Sequence, residues 1–254
     1  MNKLKSLKNL RAKLLKGEPS IGSWMQIPNS SIAEILGDSG YDWVAVDLEH
    51  GAISLEKLPD LYRALEINNT LPLARIADVS KKDCKEALDS GAAGLIIPMI
   101  QNSKDLKKAI KFSCWPPKGN RGVGYSRANL FGKYFNKYME EAQNPFIVAM
   151  IENEKALSNI EEIIQVEGLD AILIGPYDLS SSLGTPGDFK NINFINAKKK
   201  ILNIASEANI PCGLHQVIPD LDMLNELLKD GFTFIPYSID SVFLEHISRK
   251  PKHN

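Results

Sequence analysis

A chain of 254 residues, 44% hydrophobic and 24% charged, has apolar material for one large core and enough charge to stay in solution. A net charge of -1, with only the two ends basic, argues against the concentrated basic surface of a nucleic-acid binder. No apolar run is long enough to span a bilayer and no secretory signal is recognisable, so a cytoplasmic protein with no membrane partner is expected; Cys84, Cys114 and Cys212 then read as reduced thiols.

In chain order, residues 1–16 predict an N-terminal helix, because Leu4, Leu7, Leu10 and Leu14 recur at helical spacing; its lysines are expected to face water. Short apolar runs then predict strands at 21–26, 43–47, 71–75, 94–98, 146–151, 170–175, 210–214 and 232–236. Between them lie helical patterns at 31–40, 80–91, 103–114, 154–168, 193–209 and 220–231, several opened by Ser, Asn or Asp and closed by Gly or Asn. Eight such strand–helix units predict a single-domain α/β fold over residues 1–254, a (β/α)8 TIM barrel. An open doubly wound sheet is the alternative, but the first strand runs into Ile27-Pro28-Asn29 and not into a glycine-rich turn. The interval between the fourth and fifth strands is too long for one helix. Its Pro- and Gly-rich stretch, residues 115–124, is expected to shape a loop over the barrel mouth or to be a structural excursion.

In such barrels the chemistry lies where the strands end. The predicted strands lead into Gln26, into Asp47-Leu48-Glu49-His50-Gly51, into Arg75, into Glu152, into Gly175-Pro176-Tyr177-Asp178, and into His215 and Gln216. Carboxylates, imidazoles and a guanidinium therefore collect at one rim, as they do in enzymes. Glu152 and Asp178 follow neighbouring strands and could hold a hard divalent cation between them; the alternative is that one or both simply cap the following helix, as Asp178 could. Arg75 either balances Asp47 or Glu49 or clamps a developing oxyanion, and His50 is a candidate general base. None of the predicted strands contains a lysine, so a carbonyl substrate would have to be activated by something other than a Schiff base, and a metal is the obvious source.

Several motifs stand in a recognisable order. They are Gly40-Tyr41-Asp42-Trp43 before Asp47-Leu48-Glu49-His50, Leu88-Asp89-Ser90-Gly91-Ala92 before Ile97-Pro98-Met99, the run from Pro116 to Gly124, Ile151-Glu152, and Ile174-Gly175-Pro176-Tyr177-Asp178-Leu179-Ser180. Through them the chain, from about Ile21 to Phe243, resembles the HpcH/HpaI aldolases, the class II pyruvate aldolases.

The resemblance implies a metal-dependent carbon–carbon lyase that cleaves or forms 4-hydroxy-2-oxo acids, giving pyruvate or a related 2-oxo acid plus an aldehyde. Glu152 and Asp178 match the ligands of a Mg2+, Mn2+ or Co2+ ion. His50 matches the catalytic base, Asp47 its acidic support, and Arg75 the group that stabilises the enolate oxygen. The backbone of Gly175, Pro176, Tyr177 and Asp178 matches the segment that receives the carboxylate. A homo-hexamer built as a trimer of dimers is also implied. Two positions depart from the pattern: Met150 stands where many members have Gln, and Tyr177 where many have a small residue. Met150 is expected directly beneath Glu152, and the Tyr177 ring is expected to narrow the pocket or offer its hydroxyl. The other readings are an acyl-CoA lyase like the citrate lyase β-subunit, for which no matching set of basic residues is found, and a barrel subunit without activity.

Overall fold

The computed structural model describes residues 2–249. Helix α1 (Lys3–Leu15) precedes β1 (Ser20–Met25), α2 (Ser30–Asp38), β2 (Trp43–Asp47), α3 (Leu58–Ile67) and β3 (Leu71–Arg75). Then come α4 (Lys81–Asp89), β4 (Gly94–Ile97), α5 (Ser103–Ser113), α6 (Phe135–Gln143) and β5 (Phe146–Ile151). The chain continues through α7 (Glu154–Ser158), α8 (Ile160–Ile164), β6 (Ala171–Ile174), α9 (Pro176–Ser182) and α10 (Ile192–Glu207). It ends with β7 (Cys212–Leu214), α11 (Leu221–Asp230), β8 (Phe234–Ile239) and α12 (Asp240–Ile247).

The eight strands form one sheet in the order β7-β6-β5-β4-β3-β2-β1-β8, and the ladders between these neighbours are parallel. A bridge between Gln216 and Tyr237 joins the two end strands. Three main-chain bonds run along this seam: Thr233 N–H to Cys212 O at 2.9 Å, Gln216 N–H to Pro236 O at 3.0 Å, and Ser238 N–H to Gln216 O at 2.7 Å. The fold is thus the expected (β/α)8 barrel.

Alternation along the strands sorts side chains into two cores. Val44, Val46, Ala74, Ile97, Ile147, Ile151, Ile172 and Ile174 face the helices. Trp43, Ala45, Leu71, Leu73, Phe146, Val148, Met150, Leu173 and Phe234 fill the barrel. At the end from which the strands start, the Trp43 and Phe234 rings stack with centroids 4.3 Å apart. Gly22 makes this possible, because a methyl carbon there would run into the Trp43 indole. Helix α1 closes the same end with Leu7, Leu10 and Leu14, all buried in the interior cluster.

Polar contacts lock that plug. Arg11 Nε bonds Asp170 at 2.6 Å, just before β6, and Lys13 Nζ bonds Asp42 at 2.7 Å, just before β2. Lys3 reaches Glu66 and Glu141. Not all the lysines of this helix face water, as expected from the sequence; two of them anchor it.

The segment after α5 takes the second of the two readings left open, a structural excursion. Asn120 N–H bonds Lys111 O at 2.8 Å and Arg121 N–H bonds Cys114 O at 3.0 Å, so this loop folds back on the C-terminal end of α5. It lies at the closed end of the barrel, away from the mouth. Arg121 is buried there and donates to the Tyr138 hydroxyl at 2.9 Å. The sequence reading also passed over α3, α6 and α12, and joined α7 and α8, which break at Asn159.

Gly22→Ala should overpack the Trp43–Phe234 stack and cost about 1–3 kcal/mol. Urea melts of the wild type and variant would measure it; an unchanged midpoint would mean the stack yields freely.

Candidate active site

At the opposite end, the first inward residue past the apolar layers is charged on two adjacent strands. Asp47 and Arg75 are register partners at the ends of β2 and β3. Arg75 donates from Nε to Asp47 Oδ1 at 2.8 Å and from Nη2 to Oδ2 at 2.6 Å. Its Nη1 meets Glu49 at 3.0 Å, and its guanidinium lies 5.1 Å from the centre of the Trp24 ring. Both ion-pair partners considered from the sequence are therefore engaged, and one N–H on each terminal nitrogen stays uncommitted.

Asp47 is fully buried and takes further bonds from the Gln26 amide at 2.9 Å and from the backbone N–H groups of Glu49 and His50 at 3.1 and 3.2 Å. Burial alone would raise its carboxyl, but the Arg75 fork and these donors hold it down to about 2. The Glu49–His50 turn is wrapped round this carboxylate. It passes through Gly51, where a side chain would strike the Asp47 carbonyl. His50 is exposed at the mouth.

Glu152 follows β5 and is 2% exposed. One oxygen accepts the Met99 N–H at 2.6 Å; the other has no partner. Burial pushes this carboxyl up to about 7, the charges of Asp178 and Glu49 add to the effect, and the Met99 N–H and Arg75 oppose it. Glu49 is raised as well, chiefly by burial, against the pull of Arg75 and His50. Asp178 lies in the first turn of α9, exposed at the mouth and close enough for its charge to act on both acids.

Gly175 shapes the space beside Glu152, since a methyl carbon there would collide with the unpartnered carboxylate oxygen and crowd the Met150 methyl. Met150 is thus beneath Glu152, as alternation predicted. The Tyr177 ring packs edge-on against Phe189 with centroids 5.1 Å apart, and the two line a cavity that His215 also borders.

These observations fit a cation held by Glu152 and Asp178. A buried carboxylate with one oxygen unpartnered, its pKa raised by burial and then by like charges, gains most from a positive ion. Among the described residues no group of three or more His, Cys, Asp or Glu is arranged for a metal. Catalytic or structural zinc sites use more protein ligands, whereas Mg2+ commonly takes one or two carboxylates and completes its shell from substrate and water.

One buried site residue had no role assigned from the sequence. His215, after β7, is 7% exposed, and its ring lies 4.7 Å from that of Trp24. The run of polar residues after each strand placed it at the rim but did not show that it points inward.

Residues 20–246 match the family profile described as HpcH/HpaI aldolase/citrate lyase. The 2-keto-3-deoxy-L-rhamnonate aldolase of Escherichia coli K12 is 32% identical over 234 residues, covering 91% of this chain and 87% of that protein. The hydroxypyruvate/pyruvate aldolase of Roseobacter denitrificans is 30% identical over 240 residues, covering 94% and 93%. A crystal structure of an HpcH/HpaI aldolase/citrate lyase family protein from Burkholderia cenocepacia superposes with a TM-score of 0.89 at 28% identity, covering 95% of this chain and 96% of that one. On this match of sequence and architecture, the chain belongs to the HpcH/HpaI aldolase/citrate lyase family.

Proposed function

We propose that the protein is a divalent-metal-dependent aldolase that joins pyruvate, or a related 2-oxo acid, to an aldehyde and cleaves the 4-hydroxy-2-oxo acid product. The observation that carries this reading is the unpartnered, buried Glu152 oxygen beside Gly175, with Asp178 on one side and the Arg75 guanidinium near. A Mg2+, Mn2+ or Co2+ ion bound by Glu152 and Asp178 supplies Lewis acidity to the ketone of the 2-oxo acid. The backbone from Gly175 to Asp178, including Pro176 and Tyr177, receives the carboxylate at the start of α9.

The uncommitted N–H groups of Arg75 stabilise negative charge on the ketone oxygen as the neighbouring carbon loses a proton. His50, exposed to solvent but tethered by its backbone to Asp47, takes that proton. The carbon then attacks the aldehyde, and cleavage is the reverse. Asp47 stays ionised throughout, fixing Arg75 and the His50 turn in place.

The same reading takes the working form as a hexamer, a trimer of dimers. Large apolar side chains left exposed at Tyr125, Phe131, Leu244 and Ile247 support burial against other copies. It also places the enzyme in the cytoplasm. The free, buried Cys84, Cys114 and Cys212 suit a reducing compartment, and no described helix is long and apolar enough to cross a membrane.

Chelator-treated protein should lose aldol cleavage and regain it with Mn2+, Co2+ or Mg2+, and borohydride with pyruvate should leave no covalent adduct. An adduct on a lysine, found by mass spectrometry, would refute the mechanism.

Glu152→Gln should abolish Mn2+ binding in calorimetry. His50→Ala should keep the metal yet slow exchange of the pyruvate methyl protons in deuterated water by about 100- to 10,000-fold. Normal exchange in His50→Ala would require a different base.

Arg75→Lys keeps the charge and loses the fork. The turnover of folded protein should fall about 100- to 1,000-fold, and the melting temperature should fall as well because Asp47 stays buried without its second bond. Full turnover after correction for the folded fraction would leave Arg75 a purely structural role.

A further inference from the structure

His215 has a place in the site that the aldol chemistry above leaves unused. Its Nε2 is buried without a hydrogen-bond partner, and so is Nε1 of the neighbouring Trp24. The β6–β7 register pairs Ile174 with Leu214, which sets His215 beside Gly175. The β5–β6 register pairs Ile151 with Ile174, which sets Glu152 on the other side of Gly175. Two buried polar atoms without partners thus flank the one position in this row that has no side chain.

Leaving such atoms unmet is costly, so native proteins seldom do it unless a ligand or water completes them. The neighbouring side chains do not supply the partner. Arg75 bonds Asp47 and Glu49, and Met150 offers only a thioether. Burial first, and the Arg75 charge second, lower the His215 imidazole to about 4, with a backbone bond to Ser238 opposing them. Near neutral pH the ring is therefore uncharged, with one nitrogen that donates and one that accepts. An indole N–H can only donate. A hydroxyl group, which gives one hydrogen bond and accepts others, answers both; a methyl group answers neither.

We propose that His215, together with Trp24, selects the 2-oxo acid donor by binding a hydroxyl on its C3 carbon, so that hydroxypyruvate is preferred to pyruvate. The proposal rests on the aldolase reading of this site. Depth assigns the hydroxyl to the donor and not to the aldehyde. His50 and Asp178 are exposed at the mouth, where an aldehyde arrives, whereas His215 is buried beside Arg75, the layer in which the donor is held.

The test is donor proton exchange in deuterated buffer with Mg2+ and no aldehyde, followed by proton NMR on the intact protein. Wild-type protein should show a KM for hydroxypyruvate at least about tenfold below that for pyruvate. In His215→Leu the ratio of kcat/KM for hydroxypyruvate to that for pyruvate should fall by about tenfold or more, and His215→Asn, which keeps a hydrogen-bonding group, should recover part of it. Equal KM values in the wild type would overturn the proposal even if the variants failed to fold. So would an equal loss with both donors in His215→Leu, the result expected if a trapped water is the partner; in either case the aldolase reading would stand. Exchange with neither donor would refute both.

Discussion

The buried pair of Asp47 and Arg75 sets the geometry of the mouth. A carboxylate with no exposure to solvent is tolerable only when a cation and several donors meet it, and here each of its oxygens is met by both the guanidinium and a further donor. Removing one partner of such a pair typically costs about 3–5 kcal/mol, because the other charge stays buried and unpaired. The pair also does positional work. It draws the Glu49–His50 turn inward, holds the Gln26 amide from β1, and aims a guanidinium that would otherwise sweep through many rotamers.

The two ends of the barrel apply opposite rules. At the start of the strands, large rings and the leucines of α1 exclude water, and acids before β2 and β6 fasten that helix down. At the finish of the strands, side chains are deliberately missing: Gly51 lets the turn close on Asp47, and Gly175 leaves room beside Glu152. The sealed end provides the stiffness that lets the open end keep buried polar atoms without partners, as active sites of this architecture do.

Much of this was legible in the sequence, for identifiable reasons. The strands announce themselves as short β-branched runs, and their starts and finishes fall within a few residues of expectation because turn residues bracket them. Glu152 and Met150 were placed on one side of β5 by alternation alone, which needs no tertiary information. What failed or stayed open depended on tertiary contacts. The loop after α5 was left between a lid and a structural excursion because its glycines and prolines specify a shape but not an end of the barrel, and only the return bonds to Lys111 and Cys114 reveal the end. The lysines of α1 looked solvated because their acidic partners, Asp42, Glu66 and Glu141, are remote in the chain. No local pattern marks an unpartnered nitrogen, so the part played by His215 could emerge only from the surroundings of its ring.

The ring of strands is not equally strong all round. Most neighbouring strands are zipped by continuous ladders, but β7 has only three residues and meets β8 through an isolated bridge at Gln216. Local opening follows the path of least protection, so the amides of this junction should exchange with solvent before those of the longer ladders. His215 stands beside that bridge and Ser238 closes it from the other strand with a left-handed backbone, at φ 59°. Opening there would loosen the wall at His215, whereas Asp47 and Arg75 sit on β2 and β3, which are paired at five positions. The barrel carries an adaptable side and a fixed side, and they meet across the same mouth.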